Sequence, residues 1–102
     1  MSRIPDAVIA AVKARANSFC EVCGGHLGAD GGVFHHRKLR SQGGRHDLDN
    51  LVEIHHVCHS GHTGSIHLNV ARSRRLNHLV SAYADPAELT VVVCPNLLNM
   101  KA

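Results

Sequence analysis

Two short runs decide the fold of this chain: Cys-Glu-Val-Cys at residues 20–23 and His-His-Val-Cys at residues 55–58. Each run places two soft metal ligands three positions apart, and we expect each to form a tight turn that aims both side chains at one point. Two such pairs suit a single tetrahedral zinc ion, because thiolate sulphur and imidazole nitrogen are its usual ligands. We therefore predict one structural zinc ion, bound by Cys20, Cys23, His55 and Cys58. His56 is adjacent to His55 and could compete for the fourth position.

The composition shows why such a chain would need a metal. Its 102 residues include ten histidines and four cysteines, but two Phe, one Tyr and no Trp. A domain of this size buries a thin core even when large aromatic side chains are plentiful. Zinc that binds the folded turns, and not a dispersed chain, adds its binding free energy to folding. We expect this contribution to offset the thin core.

Length, charge and hydropathy exclude several classes of protein. No run of about 18 apolar residues occurs, which argues against a transmembrane helix. The first ten residues lack the apolar core of a signal peptide, so we expect a cytoplasmic protein with reduced thiols. The content of 44% hydrophobic and 19% charged residues is unlike that of a disordered chain. A net charge of +3 is compatible with nucleic-acid binding but does not establish it.

Two other interpretations of the cysteines fit less well. A thioredoxin-like redox pair requires a βαβ context, which the pattern around residues 20–23 does not predict. A two-Cys, two-His finger would pair the first run with His36, but the next histidine, His46, follows Gly43 and Gly44 and cannot share a helix with it. Cys94 follows three valines and is interpreted as a small buried thiol.

The rest of the pattern predicts a small α+β domain. Apolar residues at helical spacing after Pro5 predict an N-terminal helix over about residues 5–17. Residues 33–39 resemble a strand, residues 41–50 form a polar loop, and residue 51 opens a second apolar run. A helix is expected over residues 66–76, ending at Asn77, and short strands over about residues 78–94.

Six motifs occur in an order that resembles the HNH endonuclease family: CEVC, HHR, GG, NL, HHVCH and IH. Each is weak alone, but together they span about residues 4–93. The resemblance is greatest to small HNH proteins of actinobacteria and their tailed phages, some of which accompany packaging terminases. It implies a zinc-stabilised ββα-metal (His-Me finger) fold for a single domain over residues 1–102. The zinc turns and the ββα core would occupy about residues 19–76.

The resemblance also implies an active site. His36 matches the general base, and Asn50 matches the residue that holds the loop and orients this base. The ligands of one catalytic divalent ion (Mg²⁺, Mn²⁺, Ni²⁺ or Zn²⁺) would be His35, His59 and His67. Because neighbouring residues of a strand face opposite ways, His35 and His36 cannot both ligate one ion from a regular strand. His62 remains an alternative to His67, since residues 59 and 62 would share one helical face.

Basic residues cluster around the Gly-Gly turn. A phosphate-tracking edge is predicted at Arg37, Lys38, Arg40 and Arg45, with Arg37 also placed to contact the scissile phosphate. The arginines at positions 72, 74 and 75 form either a solvated helix face or a further DNA-contacting surface. The remaining histidines at positions 26, 46 and 78 are expected to be solvated.

The resulting functional prediction is a metal-dependent endonuclease. It would nick or cut double-stranded DNA with low sequence specificity and leave 5′-phosphate and 3′-hydroxyl ends. The alternative is a zinc-stabilised DNA-binding or phage packaging-accessory module that does not itself cleave. DNA is the expected partner, a phage terminase or another packaging protein is a further candidate, and no membrane association is expected. The sequence does not determine the oligomeric state.

Overall fold

An antiparallel pair of strands lies at the centre of the computed structural model, which describes residues 3–99. Strand β1 covers Val33–His36 and strand β2 covers Leu51–Ile54, with His35 opposite Val52 and His36 opposite Leu51. All four residues of β2 are buried, whereas β1 is mostly half-buried. Strand β2 is therefore the inner strand, and β1, apart from the buried His35, lies nearer the surface.

Helix α1 covers Asp6–Ala16 and packs against β2. Pro5 precedes its first turn, where a missing backbone N–H costs nothing, and Asp6 lies at the positive end of the helix dipole. The helix ends at Asn17, which adopts the left-handed conformation with φ 52°. This agrees with the predicted N-terminal helix to within one residue at each end.

The segment after β2 is more broken than the sequence suggested. Helix α2 covers His56–His59, a 3₁₀ turn covers Ile66–Leu68, and helix α3 covers Val70–Arg75. The single helix predicted over residues 66–76 is interrupted at Asn69, whose side-chain amide donates to the backbone carbonyls of the preceding loop. This local bonding competes with the helical pattern, as asparagine side chains commonly do.

The strands predicted over residues 78–94 are wrong. Within the described part of the chain these residues form turns, a 3₁₀ turn at Pro86–Glu88 and extended segments outside any sheet. Their backbone donors go to scattered acceptors: Val80 donates to Arg37, and Val92 donates to Leu76. Bonds to unrelated segments hold the C-terminal part in place without forming a ladder.

The core lies where β2, the first zinc-candidate turn and the C-terminal segment meet. Its buried apolar members are Cys20, Val22, Val52, Ile54, Cys58, Ile66, Leu79 and Leu97. Two of these are cysteines of the predicted zinc set, so the candidate zinc site and the apolar core are continuous. The fold is a small α+β domain, as predicted. None of the helices within residues 3–99 has the length and apolar character needed to cross a bilayer.

Candidate metal centres and active site

The two runs at residues 20–23 and 55–58 lie next to each other in the structure. One ligand atom from each of the four predicted zinc residues lies within 4.8 Å of the others: Cys20, Cys23, His55 and Cys58. Nδ1 of His55 lies 3.3 Å from Sγ of Cys23 and 3.7 Å from Sγ of Cys58. Three sulphurs and one nitrogen at this spacing match the donor set of a closed, structural zinc site.

Backbone groups orient these four ligands. The other ring nitrogen of His55, Nε2, donates to the carbonyl of His26 at 2.8 Å, which leaves the Nδ1 lone pair directed at the thiols. Such an outer hydrogen bond is the usual way in which proteins fix a metal-binding imidazole. The N–H of Gly25 lies 3.5 Å from Sγ of Cys23. His56, the competing residue, is exposed and lies outside the cluster.

One of the three thiols in this set, that of Cys20, favours the ionised form. A hydrogen bond from the Cys58 thiol, opposed by burial and helped by the backbone N–H of His55, lowers the pKa of Cys20 to about 4. The Cys20 sulphur is therefore a thiolate at neutral pH, the form that binds metal. The same interaction, together with burial, raises the pKa of Cys58. The four residues fit zinc in donor chemistry.

A second cluster contains three imidazoles from three separate elements. His35 comes from β1, His59 is the last residue of α2, and His67 lies in the following 3₁₀ turn. One ring nitrogen of each lies within 4.8 Å of the others, and the Nε2 atoms of His59 and His67 are 3.1 Å apart. Nitrogens that converge in this way can hold one divalent ion between them.

His35 is the most buried member of this cluster, with 1% of its surface exposed. Its Nε2 donates to the carbonyl of His78 at 2.7 Å, so Nδ1 carries the free lone pair. Burial, together with the neighbouring histidines, lowers the pKa of His35 to about 3. The pKa of His59 is also lowered, by burial and by His67. Both rings are therefore neutral and available as ligands at neutral pH.

The path of the loop after α2 determines which of His62 and His67 reaches His35 and His59. Nδ1 of His62 accepts the N–H of Gly64 at 2.9 Å, which turns the ring back onto its own loop. The chain then returns through the 3₁₀ turn at Ile66–Leu68 and brings His67 to His35 and His59. The structure thus brings His67, and not His62, into the cluster.

The next residue of β1, His36, is half-buried and makes a different contact. Its Nε2 lies 3.0 Å from Nδ1 of His46, with the two ring centres 5.2 Å apart. Burial, His46 and Arg40 lower the pKa of His36, in that order, so the ring is neutral at neutral pH. A neutral imidazole has the protonation state that a general base requires.

Asn50 closes the loop between the strands. It is 2% exposed, its Oδ1 accepts the N–H of Lys38 at 2.7 Å, and its Nδ2 donates to the carbonyls of Lys38 and Arg45 at 3.1 and 3.0 Å. One side chain therefore ties the start and the middle of the loop to the residue that precedes β2. These contacts agree with the loop-holding role that the resemblance implies for Asn50, while its role in orienting the base stays a prediction.

A family model described as HNH endonuclease matches residues 20–65. This segment is an HNH nuclease domain. It contains the whole four-residue zinc set and ends two positions before His67. HNH domains bind metal and act on DNA, so the match supports a nuclease of this family in general. No curated protein and no solved structure is detectably similar to it.

Within the HNH domain, Arg37 does not serve as a phosphate contact. It is 3% exposed, and its guanidinium donates to four backbone carbonyls: those of Asn77, Leu89, Pro86 and Asp49. These carbonyls belong to the interstrand loop and the C-terminal segment. The predicted role of Arg37 in the catalytic site and in DNA binding is therefore wrong, because its guanidinium N–H donors already bind the backbone carbonyls of these two segments.

The other three predicted cations stay near the surface of the HNH domain. Lys38 is half-buried and donates to the carbonyl of Ala84 at 3.2 Å. Arg40 and Arg45 are exposed, and Arg45 pairs loosely with Asp47 at 3.8 Å. Arg40 and Arg45 line one surface cleft together with the ring of His46. The basic edge thus runs beside the contact between His46 and His36.

His46 and His78 were expected to be solvated, but the structure buries both rings at least in part. His46 is half-buried against His36, and His78 is fully buried with Nε2 donating to the carbonyl of Val92 at 2.7 Å. The Gly43-Gly44 turn is the signal that could have located His46, since it returns the chain toward β1. Nothing in the pattern around His78 indicates burial.

The remaining assignments of the sequence are mostly borne out. The rings of His26 and His56 are exposed. Cys94 is half-buried and packs against the core. Of the α3 arginines, Arg74 and Arg75 are exposed, whereas Arg72 is 4% exposed and donates to the carbonyl of Gly64 at 2.5 Å. The interpretation of Arg72 as part of a solvated or DNA-contacting face is therefore wrong.

Proposed function

We propose that the chain is a metal-dependent DNA endonuclease that uses His36 as its general base. The observation that carries this proposal is the convergence of His35, His59 and His67, because His35 directly precedes His36 in β1. Three imidazoles would hold a divalent ion, and the imidazole of His36, the next residue after His35, keeps a lone pair for proton transfer. This division of roles is the one that phosphodiester hydrolysis requires.

Each residue has a defined task in this proposal. His36 takes a proton from the water that attacks the scissile phosphorus. His35, His59 and His67 would hold the ion, which when bound supplies stabilisation of the negative charge that develops on the phosphate and leaving oxygens. Attack at phosphorus with loss of the 3′-oxygen leaves 5′-phosphate and 3′-hydroxyl ends. Asn50 keeps the interstrand loop closed beside the base.

The DNA would lie along the basic edge of the interstrand loop. Arg40 and Arg45 are exposed there, and the chain carries a net charge of +3. Charge contacts to phosphates carry no sequence information, which favours low sequence specificity. The Arg74 and Arg75 side chains, exposed on α3, offer a second phosphate-contacting face.

Supercoiled plasmid tests the proposal directly. Zinc-loaded protein is incubated with plasmid and added Mg²⁺, Mn²⁺ or Ni²⁺, and the nicked and linear forms are quantified. We expect cleavage by the native chain, loss of cleavage in His36→Ala, and native rates in His56→Ala, whose exposed imidazole belongs to neither cluster. Nicked product that a DNA ligase reseals without prior phosphorylation would have the predicted ends.

The alternative function has a clear signature in the same assay. A zinc-stabilised DNA-binding or packaging-accessory module would bind the plasmid and leave it intact with all three ions. Full cleavage by His36→Ala would instead remove His36 from the role of base. A packaging terminase as a partner and a cytoplasmic location stay predictions of the sequence.

A further inference from the structure

His46 and His36 form a hydrogen-bonded pair of imidazoles that the sequence pattern did not indicate. Nδ1 of His46 lies 3.0 Å from Nε2 of His36, and the rings are inclined at 52°. A neutral imidazole has one N–H and one lone pair, so one ring must donate to the other. Either Nε2–H of His36 donates, or Nδ1–H of His46 does.

These two arrangements differ in their consequence for His36. If His46 donates, His36 carries its own proton on Nδ1 and has no free lone pair. If His36 donates from Nε2, its Nδ1 keeps a lone pair that can accept a proton. The general-base role is compatible with the second arrangement alone, because the Nε2 position is already occupied by His46.

We propose that His46 is a positioning residue that accepts a hydrogen bond from Nε2–H of His36 and thereby fixes the tautomer and ring orientation of the base. The inference rests on the proposed function, since it assigns His46 a part in the same reaction. His46 touches no reacting atom and acts through His36. An acceptor that fixes the tautomer of a catalytic histidine is a recurrent device in hydrolases.

The loop around His46 is built to present this ring. Gly44 approaches Lys38 so closely that an added Cβ would lie 1.7 Å from the Lys38 carbonyl oxygen, so only glycine fits. The N–H of Gly44 donates to the carbonyl of Leu39 at 2.9 Å, and Asn50 holds the carbonyl of Arg45, the residue before His46. The backbone on the N-terminal side of His46 is thus anchored to Leu39 and to Asn50, the residue before β2.

The tautomer can be measured without any substitution. In zinc-loaded, ¹⁵N-labelled protein, long-range ¹H–¹⁵N correlation spectra report which ring nitrogen of each histidine carries the proton. We expect His36 to carry its proton on Nε2 and His46 to have a deprotonated Nδ1. A His36 ring protonated on Nδ1 at neutral pH would overturn the inference.

Two substitutions then connect the hydrogen bond to catalysis. His46→Phe removes the acceptor and keeps a ring of similar size, whereas His46→Asn places an amide oxygen near the position of Nδ1. We expect His46→Phe to give a mixture of His36 tautomers and a kcat lower by about tenfold or more, with an unchanged KM for DNA. His46→Asn should restore the native tautomer and most of kcat.

The outcomes separate this inference from the proposed function. If the native protein cleaves, His36→Ala does not, and folded His46→Phe retains full kcat, the role of His46 is wrong and the nuclease assignment stands. If the native protein does not cleave, the nuclease assignment fails, and the tautomers of the native protein still decide whether the hydrogen bond exists as described. A divalent ion lost from His46→Phe relative to the native protein would show that the pair ligates metal and would overturn the inference.

Discussion

Nε2 of His59 and Nε2 of His67 face each other at 3.1 Å, although a two-glycine loop separates the residues in the chain. His35 completes the cluster from β1, with its second ring nitrogen donating to a backbone carbonyl. All three donors are imidazole nitrogens, and no carboxylate belongs to this cluster in the described part of the chain. This composition bears on which ion binds and on how binding responds to substitution.

The three-histidine cluster should prefer Ni²⁺ or Zn²⁺ to Mg²⁺, because imidazole nitrogen suits the former ions and oxygen ligands suit Mg²⁺. Isothermal titration of Ni²⁺ into protein whose four-residue zinc set already holds zinc measures binding at the three-histidine cluster. We expect His59→Ala and His67→Ala each to weaken Ni²⁺ binding by more than the roughly 10- to 100-fold that loss of an outer hydrogen bond costs. His62→Ala should leave the affinity unchanged, and equal losses in all three variants would contradict the cluster.

Removal of zinc from the four-residue zinc set should unfold the domain. Cys20 and Cys58 belong to the apolar core, so release of the metal disturbs core and ligand site together. We expect Cys20→Ser to lose the zinc and the cooperative thermal transition. Cys94→Ser, a cysteine change outside the cluster, should keep one zinc per chain as measured by elemental analysis. A native melting temperature in metal-free Cys20→Ser would show that the site is not structural.

Arg37 should affect stability and not DNA affinity. Its guanidinium bonds to four carbonyls, and a lysine ammonium cannot reach all of them. We expect Arg37→Lys to lower the free energy of unfolding by about 2–4 kcal/mol, because buried carbonyls lose charged donors. Urea unfolding measures this loss. Unchanged stability with weakened DNA binding would restore the phosphate-contacting role.

Arg45, on the same loop as Arg37, should affect DNA binding and not stability. It is exposed, so Arg45→Ala should leave the melting temperature nearly unchanged. Its loss should weaken DNA binding across all sequences and reduce the slope of log K against log salt by about 1. Fluorescence anisotropy at several salt concentrations measures both quantities. An unchanged slope would mean that DNA does not follow this edge.

Glu53 should make stability depend on pH. Burial opposes its charged form, but the ammonium of Lys13 at 2.7 Å and the N–H of Gly32 at 3.0 Å outweigh burial and lower the pKa of Glu53. Since the pKa is lower in the folded state, the stabilisation is present above the unfolded pKa of about 4.5 and is lost as pH falls through the folded value. The stability gap between native protein and Glu53→Gln should therefore shrink from pH 7 toward acid.

Comparing the two proteins at each pH removes the effect of acid on the zinc site, which both share. Urea unfolding at pH 7, 5 and 4 measures the gap. A gap that stays constant over this range would show that the Glu53 pKa is not lowered by folding.

Local patterns in the sequence determined much of this protein. The i, i+3 spacing of the cysteine and histidine pairs predicts both zinc turns, and the order of motifs identifies the HNH segment. The N-terminal helix follows from apolar residues at helical spacing, and the central strands follow from two short β-like and apolar runs. Alternation along a strand also separates the buried His35 from the half-buried His36, which contacts a different histidine. All of these depend on residues close together in the chain.

Tertiary structure alone decided which distant side chains meet. The paths of the loops bring His46 to His36 and bring His67, and not His62, to the three-histidine cluster. They also place backbone carbonyls around the guanidinium of Arg37. The C-terminal apolar run, expected as strands, takes up backbone bonds with separate segments instead of forming a ladder. Periodicity reports which face of an element is apolar, but not where a glycine-containing loop returns. That path is set by packing and by buried hydrogen bonds such as those of Asn50.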